Sequence, residues 1–281
     1  MKTTNFYPFV SIEKRMDGNN YMTFFPKFYT QSSSYTNPKT GLKTITRYVA
    51  KEKLNGFHCH PAFMVDGEET ETGILISSYF WSGDLTSPQS TPTGSVLTKT
   101  FPEFKTAIEE NPYYHLMNIY EWSMIQLLLL LEAQGTEITY NLTGDKSSMP
   151  NSPAYHYYMS DITGRMGNFF LDGFRVDSAG KFVLLKNDGS GEEVETGVAA
   201  TITNPNNQWY VVDLLDDEGE GFDFKDLFVA RTKSSDIGSG SFYTEQTFEA
   251  NKIVMPHGGY ALGLTNNATT CTSWARFVKY V

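Results

Sequence analysis

The run Pro112-Tyr-Tyr-His-Leu-Met-Asn-Ile-Tyr-Glu-Trp-Ser-Met-Ile-Gln126, continued by five leucines over 127–131 and closed by Glu132-Ala-Gln-Gly135, decides how the rest of this sequence is read. Its spacing predicts a helix. Asn118 can accept from the backbone N–H groups of a first turn while Glu121, three residues on, reaches back to the Asn118 N–H, a reciprocal capping box. Gly135 supplies a stop. Trp122, Ile125, Leu128 and Leu129 share one face, and Leu127, Leu130 and Leu131 widen it until little of the circumference is polar, so the helix must be buried on most sides. The apolar run is too short to span a bilayer, and Glu121 and Gln126 interrupt its first half, which argues for a core helix.

Working outward, Phe101, Phe104 and Ile108 share a face of a shorter helix that Pro112 closes off. Upstream, Tyr21–Tyr29 and Lys43–Val49 read as two strands around a Pro/Gly turn. Phe57–Val65 and Gly73–Trp81 read as a second pair around Asp66-Gly67, and 82–98 as loop. Downstream of Gly135 no long helical period recurs. Short β-type runs at 182–185, 209–215, 253–255 and 274–281 are separated by long segments rich in Gly, Asn and Asp. No repeat or charged linker marks a boundary. The expectation is a single α+β domain with two central helices, short antiparallel strands and long ordered loops. It spans 20–281, with loop insertions at about 141–160 and 186–250, behind an N-terminal segment 1–19 suited to attachment.

The formal charge of −10 argues against nucleic acid or an anionic membrane as partner, since both need a basic face. Aromatic residues reach 15% against 19% charged, a mix that suits short strands and aromatic-rich surfaces. Two cysteines, Cys59 and Cys271, are no disulfide framework; a single bridge is open, and two buried thiols are the default. The first residues lack an apolar stretch, so no signal peptide is expected.

Chemistry-bearing motifs are few. His58-Cys-His60 could present two imidazoles from one strand face, but Ala62, Phe63 and Met64 stand where a carboxylate ligand would follow, so packing histidines are expected and no metal. The acidic run Asp213, Asp216, Asp217, Glu218 and Glu220 lacks the alternating pattern of a calcium loop and reads as solvated. Glu109-Glu110 reads as a solvated helix face. No nucleophile elbow or phosphate-cradling Gly-rich loop is present.

The order of the pieces carries a resemblance. His60-Pro-Ala-Phe63, a turn at Gly67, Gly73-Ile-Leu-Ile-Ser-Ser-Tyr79 and His115-Leu-Met-Asn-Ile-Tyr-Glu-Trp122 resemble the C-type-lectin-like domains of the formylglycine-generating-enzyme type, as used in phage tail-fibre and diversified receptor-binding proteins. Phe25–Tyr29, Gly164–Gly173, His257–Gly263 and Ala275–Phe277 extend the likeness over 20–281. The resemblance implies a C-type-lectin-like fold. The paired cysteines of the enzymatic branch have no counterpart here, since Cys271 stands alone late in the chain, so no enzyme and no cofactor are expected. In the diversified members the Gly-Gly turn to the closing strand forms the ligand-binding face. That places Tyr260, Asn266, Asn267, Thr269 and Trp274 as candidate ligand-binding residues, with the rigid amphipathic chemistry of paratopes. The implied protein is a non-enzymatic virion component, of tail fibre or decoration type, that binds a host cell-surface glycan or protein, contacts other virion proteins and forms a homo-oligomer. Two other readings are kept: a structural virion protein whose loops pack against neighbouring subunits, and an enzyme of unknown type on the same fold.

Overall fold

A computed structural model describes residues 7–41, 43–133, 157–160, 169–177, 179, 181–199, 202–203, 210–211, 218–227, 252–257, 261–265 and 272–281. The quoted stretch is helical over Ile119–Ala133, here α2, and its cap is the one the sequence predicts. Asn118 Oδ1 accepts from the Tyr120 and Glu121 N–H groups at 2.9 and 3.1 Å, and Glu121 Oε2 accepts from the Asn118 N–H at 2.7 Å. Every residue from Leu116 to Leu129 is buried, including Asn118, Glu121, Ser123 and Gln126. The shorter helix α1, Phe101–Glu109, starts on a second capping box, Thr100 with Glu103, and buries Phe104 and Ile108. Glu109 and Glu110 are exposed, as the solvated-face reading requires.

The expectation of an α+β domain organised on two central helices is corrected. Among the described residues these two α-helices stand against twenty-three strands of two to eight residues, arranged in eight small antiparallel sheets, and the structure is mostly β. The helix-centred architecture that the resemblance implied does not describe this chain. Helices declare themselves locally through caps and period, whereas a two-residue strand has too few positions to show alternation and exists only through its distant partner.

The central sheet runs in the order Glu13–Asp17, Asn20–Pro26, Gly73–Ser77, Phe277–Tyr280, His115–Leu116. Both of its faces are covered. Phe25, Ile74, Ile76 and Val278 join the cluster around Trp122, Ile125 and Leu128 of α2. Met22, Phe24, Leu75 and Phe277 join the cluster around Phe104 and Ile108 of α1 and Trp81. Burial on both faces is why Gly73-Ile-Leu-Ile-Ser77 reads as a near-continuous apolar run. Gly73 itself is required by a close approach, since a Cβ there would stand 2.1 Å from the Phe25 carbonyl oxygen.

Strand pairing differs from the local reading in two places. Tyr21–Tyr29 is split: Asn20–Pro26 belongs to the central sheet, while Tyr29–Thr36 turns away to pair with Lys43–Ala50. Phe57–Val65 is not one strand paired with Gly73–Trp81. It breaks into His58–Cys59, a 3-10 turn at Pro61–Phe63 and Met64–Val65, which turns back at Asp66-Gly67 onto Glu68–Glu69. Pro61 explains the break, because it lacks the N–H that a ladder needs. A second five-stranded sheet holds Glu193–Ala199, Lys181–Leu185, Phe174–Val176, Lys252–His257 and Ala261–Thr265 in that order. No helix among the described residues is long and apolar enough to cross a membrane.

Candidate functional site

Four of the five predicted ligand-binding residues, Tyr260, Asn266, Asn267 and Thr269, lie outside the described residues, as do Asp213, Asp216, Asp217 and Cys271. Trp274 is described and is half-buried. Its ring lies 5.4 Å from that of Phe80, its indole N–H donates to Thr98 Oγ1 at 3.2 Å, and its carbonyl accepts from the Phe170 N–H at 2.8 Å. The indole therefore combines a packed face with an open edge, and its orientation is set by core contacts.

The His58-Cys-His60 motif does not present two imidazoles side by side. The strand ends at Cys59, a free buried thiol whose pKa burial pushes up to about 12. His60 is fully buried against Phe28 and Phe63, with ring centroids 5.4 and 6.2 Å away. Its Nδ1 accepts from the Ala62 N–H at 3.2 Å, which leaves the proton on Nε2. Burial holds its pKa down to about 4, so it is a neutral packing ring. His58 turns the other way, with Nε2 2.5 Å from Asp226 Oδ1.

That hydrogen bond to Asp226 raises the His58 pKa above its ordinary 6.5, against the opposing effect of burial. Because the folded value is the higher one, the stabilisation from protonated His58 is complete below about pH 6.5 and is lost as pH rises through the raised folded value. NMR titration of the His58 ring should give a midpoint above 6.5, and Asp226→Asn should return it to the ordinary value or below. An unshifted midpoint in the native chain would show that the ion pair does not form in solution.

An open groove of about 670 Å³ lies where the Asp17–Asn20 turn, the 87–91 loop, the 111–114 segment and the end of the closing strand meet. Its position follows from topology. The first hairpin turns at Gly18, with φ of 60°, which carries Asp17 and Asn20 to the sheet end. Pro112 cannot continue α1 and throws Tyr113 and Tyr114 out beside them. At the floor, Asp17 accepts from Tyr114 Oη at 2.6 Å and from Lys279 Nζ at 2.8 and 2.9 Å. Burial works to raise the Asp17 pKa, but the hydrogen bonds from Lys279 and Tyr114 outweigh it and hold the carboxyl below its ordinary value. Burial, reinforced by the bond to Asp17, pushes Tyr114 up to about 12. Asn20 is itself buried; its amide donates to the Pro88 carbonyl and to Tyr114 Oη, and its oxygen accepts from the Ser90 N–H at 2.9 Å, which ties the 87–91 loop to the sheet.

Over this fixed floor stands an adaptable rim. Tyr113 is 70% exposed, and Asn19 and Gln89 are exposed beside it. An aromatic face combined with side-chain amides, which both donate and accept, suits a ligand that mixes apolar edges with hydroxyl or amide groups. Among the described residues Asp17 is the one carboxylate in the lining, and both of its oxygens are engaged. Hydrolysis of a glycosidic bond in this groove would need a second carboxylate facing the first. The groove combines residues 17–20, 87–91, 111–114 and 279. Local reading gave each piece a different job: N-terminal attachment segment, loop, helix stop and closing strand. The one available signal was the Tyr113-Tyr114 pair directly after a proline. Searches against protein-family models and against curated proteins returned no match to the chain.

Proposed function

We propose that this chain is a bacteriophage virion protein, of tail-fibre or decoration type, that recognises a host surface ligand without catalysis. The observation that carries the reading is the groove: a rigid, charge-balanced Asp17–Lys279–Tyr114 floor under an exposed Tyr113 and flanking amides. Pre-set polar groups beside a rigid aromatic give contact area at low entropic cost, which is binding chemistry. The ordered motifs resembling phage receptor-binding proteins support the host-attachment role, and Tyr260, Asn266, Asn267, Thr269 and Trp274 form its second contact region. The carboxyl of Asp17, tied to a lysine and a tyrosine, supports binding over turnover.

Labelled full-length protein should bind cells of the host strain saturably. Tyr113→Ala with Gln89→Ala should weaken that binding about tenfold or more, the loss expected of an aromatic anchor with a polar neighbour. The same measurement on Tyr260→Ala with Asn266→Ala and Asn267→Ala assigns the C-terminal face. Absence of saturable binding by the native chain sinks the receptor reading. Binding that survives both sets moves recognition to another surface.

A further inference from the structure

The strands Tyr29–Thr36 and Lys43–Ala50 form one ribbon of eight cross-strand pairs, from Tyr29 opposite Ala50 to Thr36 opposite Lys43. Its base is fastened to the body. Tyr29 and Thr30 pair with Cys59 and His58, and Ser32 Oγ and Arg47 Nε both donate to the Lys225 carbonyl, at 3.4 and 3.2 Å. Beyond that pair the ribbon leaves the body. Ser33, Ser34, Tyr35 and Thr36 are exposed in succession, as are the tip residues Pro38 to Gly41 and, on the return strand, Thr46 and Tyr48. A strand with one covered face would bury every second residue, so four exposed in a row put both faces in solvent. The tip is nonetheless well formed: Asn37 Oδ1 accepts from the Lys39 N–H at 2.9 Å, and the Asn37 carbonyl from the Gly41 N–H at 2.8 Å.

A two-stranded ribbon wet on both faces is marginal by itself, and its open edges offer N–H and C=O groups for pairing. Register shows what it would present. Tyr35 lies four residues from Gln31 on the same strand face, and Tyr48 is directly opposite Gln31, so both tyrosines stand on one face, with Ser33 and Thr46 between them. Ser32 and Arg47, the pair seated on the body, occupy the other face. Tyr35 is 63% and Tyr48 49% exposed. Residues 33–46 contain Lys39 and Lys43 and no acidic residue, on a chain of net charge −10.

The body carries a complement. The Asp66-Gly67 turn is clasped to the 188–189 turn, with the Asp66 N–H donating to the Gly189 carbonyl and the Gly67 N–H to that of Asp188. The fit is close enough that a Cβ on Gly189, whose φ is 74°, would stand 2.1 Å from the Met64 oxygen. Asn187 in turn donates to the Gly221 carbonyl. These three turns bring Asp188, Glu192 and Glu220 around Lys186, whose own charge is engaged by Glu192 at 2.5 Å, with Asp66 on the turn clasped beside them.

We propose that the ribbon of one copy docks on this acidic turn cluster of a second copy, with the Tyr35–Tyr48 face as the contact and the lysine-bearing tip reaching the carboxylates. Two different patches meet in such a contact, so the interface is heterologous and repeats into a ring or a line of copies. Light scattering after size exclusion of the full chain at about 50 µM in low salt should give a mass above the 31.7 kDa monomer. High salt should weaken the association at least about tenfold, because the contact matches opposite charges. Tyr35→Ala with Lys39→Glu should weaken it by at least as much with thermal unfolding unchanged, and so should Glu192→Lys with Glu220→Lys. Combining Lys39→Glu with the two lysine substitutions in one chain should restore assembly in part. A monomer in low salt, or an assembly indifferent to both sets of changes, overturns the proposal.

Discussion

Trp122→Ala should cost about 3–5 kcal/mol of folding stability, the range for removing a fully buried indole from a core. Trp122 has no exposed surface, and its ring meets that of Phe169 edge-on at 5.1 Å. Phe169 in turn contacts Phe80, so the indole joins α2 to the segment that bridges Trp274. A loss of that size is a large fraction of the ~5–15 kcal/mol typical of a folded domain. Denaturant titration should show a lower midpoint at unchanged slope. Trp122→Phe separates packing from polarity. Among the described residues the indole N–H, though buried, has no hydrogen-bond partner. Leaving such a group unpaired costs about 1–3 kcal/mol, and phenylalanine removes that cost while keeping most of the ring. The phenylalanine variant should therefore lose less than about 2 kcal/mol by the same reasoning on packing and the unpaired donor. A loss equal to that of alanine would mean that the N–H is hydrogen-bonded in solution.

Arg276→Ala is expected to be comparably severe, about 3–5 kcal/mol, because it empties a fully buried site and leaves the carbonyls it serves unpaired. The side chain has no exposed surface; Nη1 donates to the Ser77 carbonyl at 2.8 Å and Nη2 to the carbonyl of Ser160. The guanidinium carbon lies 4.1 Å from the centre of the Phe80 ring, so the cation is also held by an aromatic face. Its neighbours in sequence, Ala275 and Phe277, are buried on the α1 side of the sheet. Arg276 thus links the central sheet to the 157–160 segment. Arg276→Met keeps volume but withdraws the donors, and should fall between the native chain and alanine, at about 1–3 kcal/mol. If methionine matched the native chain in chemical denaturation, the carbonyl contacts would contribute nothing and volume alone would account for the alanine loss.

These two residues read differently in the sequence. Trp122 sat in an apolar helical period behind a capping box, a pattern whose physics is complete within one turn. Its burial followed from the absence of a polar face. Arg276 is a charged residue in a short terminal run, and composition alone would place it at the surface. Only the meeting of Gly73–Ser77, Phe277–Tyr280 and Ser160 supplies the carbonyls that make its burial tolerable.

The groove was illegible for the same reason. Asp17 and Lys279 are 262 positions apart and form one ion pair. Neither belongs to a motif, and each joins the groove through the partner that sheet pairing brings to it. The histidines at 58 and 60, read as packing side chains beside one strand, part on a local point with a tertiary consequence: Pro61 ends the strand, so His60 turns into the core and His58 toward Asp226.

By itself, then, the sequence determined both helices, the capping box of α2, the burial of α2 and the turn at Asp66-Gly67, because caps, period and turn chemistry act within a few residues. Tertiary structure alone decided that the fold is mostly β, which short strands pair with which, that Arg276 goes inside while the 33–46 ribbon stays outside, and where a ligand-sized groove opens. Those outcomes depend on contacts between residues far apart in the chain, and no local propensity encodes a partner hundreds of positions away.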